Sequence, residues 1–108
     1  MKRTTIVVPM KTNNVNGVLQ IIATILEPLG YKKNNTIGEN VWTKGDAVII
    51  KMQCIGASFT EDSVVIQGWL RDEITGESAL EGFVAMPLKK KTRGYLDQIQ
   101  QTILLHNY

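Results

Sequence analysis

The stretch Asp46–Asp72, DAVIIKMQCIGASFTEDSVVIQGWLRD, limits what this chain can fold into more than any other. It reads as two long strands joined by a polar turn, because its apolar residues recur at every second position. In the first strand Val48, Ile50, Met52 and Cys54 form a wholly apolar row, and Ile49, Lys51, Gln53 and Ile55 a mixed one. In the second, Val64, Ile66, Gly68 and Leu70 alternate with Val65, Gln67, Trp69 and Arg71. Ser58-Phe59-Thr60-Glu61-Asp62 has the polar character of a hairpin connection. The apolar rows are expected to face the core. The mixed rows, with Trp69 at their centre, are expected to face outward.

The flanking segments supply what can cover that hairpin. Thr4 to Val8 is a β-branched run closed by Pro9 and reads as a first strand. Asn13 or Asn14 can cap a helix carrying the stripe Val15, Val18, Leu19, Ile22, Ile25, Leu26 and Leu29, which Pro28 and Gly30 stop. Lys32 to Asn40 is polar and expected to be a loop, a candidate for mobility. Val41-Trp42-Thr43 is a short strand, and Lys44-Gly45-Asp46 turns into the hairpin. Thr75-Gly76 marks a turn within Asp72–Ser78, and Leu80 to Met86 reads as a last strand, bent or closely approached at Gly82. Pro87 holds Met86 extended, so the second helix is expected to start after it, with Leu88, Tyr95, Leu96, Ile99, Ile103 and His106 on one face.

The order is strand, helix, four strands, helix. An antiparallel β meander with both amphipathic helices on one face gives a two-layer α+β sandwich, residues 1–108 forming one domain. At 108 residues and 44% hydrophobic content, roughly two thirds of the unfolded surface can be buried without staples. No apolar run approaches the roughly 20 residues of a membrane helix, and the apolar run of MKRTTIVVPMKTNN is too short for a signal peptide. A cytoplasmic location away from membranes is expected.

This order, β-α-β4-α, resembles the TATA-binding-protein-like fold in topology, without a motif of the DNA-binding protein itself. Separately, VWTKGDAV, VVIQGWL and GESALEGFVAMPLKKK are similar to segments of small uncharacterised bacterial proteins. The positions that carry this are Trp42, Lys44-Gly45, Trp69, Gly76-Glu77, Leu80, Gly82-Phe83 and Pro87 to Lys90, and they span roughly half of the chain. The resemblance implies the fold and no activity; fold alone does not supply function.

The chemistry visible in the sequence is sparse. One cysteine excludes an intrachain disulfide and a cysteine-rich metal cluster, and Cys54 reads as a buried, inert thiol. With His106 the lone histidine, neither a histidine-based metal site nor a paired general acid and base can be assembled. The glycines form no phosphate-binding pattern and the acidic residues no calcium loop. A non-catalytic chain with no cofactor and no metal is therefore expected.

Binding is the better expectation. Ile49, Lys51, Gln53, Ile55, Val65, Gln67, Trp69 and Arg71 would make an open sheet face unusually apolar for a solvated surface, and tryptophan and arginine are common interface anchors. The favoured partner is protein, including a second copy of this chain as a homodimer. The alternative is nucleic acid, with Trp69 stacking on bases, Lys51 and Arg71 reaching phosphates, and the basic run Lys89, Lys90, Lys91 and Arg93 meeting phosphates or another anion. That run can equally be a solvated helix end, and a net charge of +2 is too small to imply a polyanionic partner. A small apolar ligand under the sheet is a third reading.

Overall fold

The computed structural model describes residues 3–81 and 86–108. Strand β1 (Thr4–Pro9) buries every second residue, as its β-branched pattern predicts. Helix α1 (Val15–Leu26) is capped by Asn14, whose Oδ1 accepts from the Gly17 amide at 3.0 Å. Its buried stripe is Val18, Ile21, Ile22 and Leu26. The helix tightens into a 3-10 turn over Glu27–Leu29, which contains Pro28, and Gly30 ends it in the left-handed region at φ 97°. Strands β2 (Lys32–Lys33), β3 (Val41–Lys44), β4 (Met52–Phe59), β5 (Ser63–Asp72) and β6 (Gly76–Ala79) follow, then helix α2 (Met86–His106).

The six strands form one open antiparallel sheet in the order β1-β5-β4-β3-β2. β5 is its axis. One edge of β5 pairs with β4 from Val64 to Arg71. The other pairs with β1 over Ser63–Gly68 and with β6 over Trp69–Asp72, so two short strands lie end to end along one long one. At their junction the Leu80 amide donates to Thr4 Oγ1 at 2.8 Å, and that hydroxyl donates to the Glu81 carboxylate.

Both helices pack on one face of the sheet. Val18, Ile22 and Leu26 of α1 and Leu96, Ile99 and Ile103 of α2 share a core with Ile6, Val8, Trp42, Ile55, Ala57, Val64, Ile66 and Leu70. Gly68 continues that row without a side chain, for a steric reason. A Cβ there would lie 2.7 Å from Leu96 Cδ1 and 2.8 Å from Leu80 Cδ1, so glycine is what lets α2 close onto β5. Tyr31 meets Tyr95 edge to face at 6.1 Å. Burial pushes the Tyr31 pKa up to about 12, which Thr92 beside it opposes, although the buried hydroxyl makes no hydrogen bond of acceptable geometry.

The structure corrects several expectations. The first strand of the hairpin begins at Met52, and Val48, Ile49 and Ile50 precede it in a loop. Its rows are also exchanged. Ile55 and Ala57 face the helices with Gln53 in register, while Met52 and Cys54 lie on the opposite face, opposite Arg71 and Trp69. The physical reason is that β4 is buried from Met52 to Ala57 on both faces, and two-sided burial removes the alternation that marks an inner row. β4 also runs on to Phe59, so the turn is shorter, closed by the Thr60 amide donating to the Ser63 carbonyl at 2.9 Å.

Within the segment read as a loop, Lys32–Lys33 pairs with Trp42–Thr43, so five strands rather than four separate the helices among the described residues. The last described strand is Gly76–Ala79; of the segment expected as a strand from Leu80 to Met86, Leu80 and Glu81 lie outside a strand, Met86 belongs to α2, and residues 82–85 lie outside the described residues. The expected bend at Gly82 lies outside the described residues. α2 already includes Met86, so Pro87 stands in its first turn, where a missing amide costs nothing. Its buried face adds Lys89 and Thr92, and His106 is exposed.

Candidate interaction surface

The sheet face away from the helices is partly closed by a second, smaller core. Val41, Ala47, Met52, Cys54 and Trp69 are buried there, with Ile37 packed against them. Trp69 is 0% exposed, which corrects the expectation that it stands open to water. Its indole lies across Gly56, where a Cβ would approach the ring to 3.5 Å. The Arg3 guanidinium covers the ring at 3.7 Å from its centroid. Arg3 is itself held by a bidentate pair to Glu77, at 2.9 and 2.8 Å, and donates to Gln67 Oε1 at 3.3 Å.

The segment from Asn34 to Asn40 lies beside this core and is pinned to the sheet. The Asn34 amide donates to the Val41 carbonyl, Asn34 Nδ2 donates to Thr43 Oγ1, and the Asn40 carbonyl accepts from the Ala57 amide. A cleft of about 170 Å³ between this segment and the sheet is lined by Arg3, Ile37, Glu39, Gln67 and Trp69 among others. The Cys54 thiol, below Trp69, is fully buried, and burial pushes its pKa up to about 12.

The face stays exposed at Thr5, Val7 and Ser58 on its β1 side, and the end of the sheet beyond Trp69 is open as well. Two loops meet there, and each is organised by an aspartate. Asp46 Oδ1 accepts from the amides of Val48, Ile49 and Ile50 at 3.0, 2.9 and 3.1 Å. Those donated hydrogen bonds hold its carboxyl below the usual range. Asp72 Oδ1 accepts from the amides of Ile74 and Thr75, and its Oδ2 accepts from Lys51 Nζ and the Thr75 hydroxyl, both at 2.6 Å. The Lys51 contact, then the Thr75 donors, hold the Asp72 carboxyl well below the usual range. The Glu73 amide ties the loops together by donating to the Ala47 carbonyl at 2.9 Å. Gly45 starts the first loop at φ 102°, where a Cβ would also lie 2.8 Å from the Lys51 carbonyl oxygen.

The consequence is an inversion of the usual loop chemistry. Backbone amides turn inward to carboxylates, and aliphatic side chains turn out to water. Val48 is 73% exposed, Ile49 87%, Ile50 57% and Ile74 94%. Ile50 is therefore not a core residue, as its row had implied. Between the loops lies a groove of about 370 Å³, lined by Ala47, Val48, Ile49 and Ile74 together with Lys51, Asp72, Glu73 and Thr75.

The expected binding residues are thus divided. Ile49 stands on this apolar tip, and Lys51 braces it from below. Arg71 is half-buried, 4.0 Å from Glu73 at the rim. Val65 and Gln67 are half-buried beside Trp69, while Gln53 is buried and donates to the Lys51 carbonyl. The basic run is not a continuous cationic stripe: Lys89 is buried with Nζ on the Glu81 carbonyl, Arg93 pairs with Asp97, and Lys90 and Lys91 are exposed. His106 stacks on Tyr108 at the surface, remote in sequence and chemistry from Cys54. Among the described residues no group of three or more His, Cys, Asp or Glu could hold a metal ion, and no helix is long and apolar enough to cross a membrane.

Val48, Ile50 and Ile74 are the tip residues that sequence reasoning missed. The signal for them was an aspartate two residues before each aliphatic group, the spacing at which its carboxylate can collect the following amides and replace a strand with a turn. No protein-family model matches the chain, and comparisons with curated proteins and with solved structures find no significant match.

Proposed function

We propose that this chain is a non-catalytic protein-interaction domain whose contact surface is the apolar tip formed by Val48, Ile49, Ile50 and Ile74. The observation that carries this reading is their exposure on loops whose polar groups are already satisfied. Val48, Ile49 and Ile74 line one groove with Ile50 exposed on the same loop, and a contiguous exposed apolar patch of this kind is often functional. Because the loops are pinned before any partner arrives, little conformational entropy remains to be lost on binding. Trp69 supports the tip from within and is not its contact residue.

The displaced ionisable groups support a non-catalytic reading. Cys54 and Tyr31 are displaced mainly by burial in packed cores, Asp46 by the amides of the turn it organises, and Asp72 by Lys51 first and then by the Thr75 donors. A photo-cross-linking residue placed at Ile49 or Ile74 in the expressed chain tests the surface against one at Glu61, in the turn between β4 and β5. Adducts from the two tip positions and none from Glu61 are expected. Equal labelling at all three, or none at any, refutes the assignment.

A further inference from the structure

The tip carries a knob and a hole side by side, and this bears on what occupies it. Ile74 is the most exposed aliphatic residue described, and it lines the 370 Å³ groove together with Val48 and Ile49. Resting on the interaction reading above, we propose that the occupant is the same tip of a second copy, related by a two-fold axis. An isologous contact needs a surface complementary to itself, and a protruding side chain next to a recess of adequate size meets that condition.

Charge and area point to the same occupant. A rim of one sign would repel its own copy, but this one carries Lys51 and Arg71 with Asp46, Asp72 and Glu73. Two contacts already balance most of that charge, Lys51 to Asp72 at 2.6 Å and Arg71 to Glu73 at 4.0 Å. Such a rim lacks the cationic excess that draws apolar loops to an anionic lipid surface. A contact confined to four exposed aliphatic side chains per copy falls in the size class of weak, transient association, below about 1,200 Å² in total. The pair is therefore a dynamic dimer that fills with concentration, with no demand on the rest of the fold.

Sedimentation velocity of the purified chain, from micromolar to millimolar concentration, tests this. The mass is expected to rise from one chain to two, with no larger species. Ile74→Asp, at a position too exposed to affect folding, should weaken association about tenfold or more, because each copy then buries an unpaired carboxylate. Leu105→Asp, on the exposed end of α2, should leave it unchanged. A chain monomeric at millimolar concentration, a dimer indifferent to Ile74→Asp, or monomers that co-sediment with neutral or anionic vesicles through the tip would each overturn the proposal. If the chain stays monomeric while Ile74 still cross-links to another protein in cells, self-association alone falls. If neither occurs, the interaction reading falls with it.

Discussion

Replacing Trp69 with alanine separates an exposed binding tryptophan from a buried one. The indole is wholly buried between Gly56, the Arg3 guanidinium and the residues Val41, Met52 and Cys54. Truncation of such an aromatic costs about 3–5 kcal/mol, from lost transfer energy and the cavity left behind. Loss of the stacked cation adds about 0.5–1 kcal/mol. Against total stabilities of about 5–15 kcal/mol, the variant should be marginally folded. For a domain of this length the midpoint should fall by roughly 15 °C or more. Ile50→Ala, at a 57% exposed side chain, should change stability by less than about 0.5 kcal/mol. Trp69→Phe should cost clearly less than Trp69→Ala, because the indole N–H is buried without a partner and its removal relieves a desolvation cost of about 1–3 kcal/mol. Urea unfolding followed by far-ultraviolet circular dichroism measures all three without depending on the fluorophore. A Trp69→Ala variant that loses less than about 1 kcal/mol while Ile50→Ala loses 2 or more would refute the second core and restore the simple alternating register.

Four further outcomes follow from particular residues. Native Cys54 should react with thiol reagents only as fast as the chain opens. Because its folded pKa is raised to about 12 from an ordinary value near 9.0, stability should be full below pH 9 and decline as pH rises from there toward 12, as denaturant midpoints across that range would show. For Asp72, whose folded pKa is lowered, the sign reverses: its contribution is present above the ordinary value of 3.8 and is lost as pH falls below it, so Asp72→Asn should accelerate amide exchange at Ile74 and Thr75 at neutral pH and flatten the acid response. Gly68→Ala should destabilise by about 1–3 kcal/mol by overpacking Leu96 and Leu80. Gly94→Ala, inside α2 with open space around it, should stabilise by about 0.5–1 kcal/mol in the same urea assay.

Local signals in the sequence determined much of the architecture. Asn14, Pro28 and Gly30 bound α1 because capping, ring closure and positive φ act within a turn of the chain. The rows of β5 were legible because one of its faces meets the helices and the other does not, so burial alternates with the pleat from Ser63 to Gly68, until the second core buries Trp69 as well. The α+β class and the antiparallel sheet follow from those two facts. The rows of β4 were not legible, since a strand buried on both sides can be placed in either parity by its own residues. Only pairing with β5 decided that Cys54 stands opposite Trp69 and that Ile55 stands opposite Gly68. Closure over Trp69 likewise depends on Arg3 meeting Glu77 across 74 positions, a contact no local pattern announces. The candidate site was half visible. Ile49 and Lys51 lay in the expected stretch, but whether VII continues a strand or forms a turn is a competition between ladder hydrogen bonds and one carboxylate. The turn that Asp46 organises is braced by the Glu73 amide, which donates to the Ala47 carbonyl from the neighbouring loop, a contact that the fold alone brings within reach.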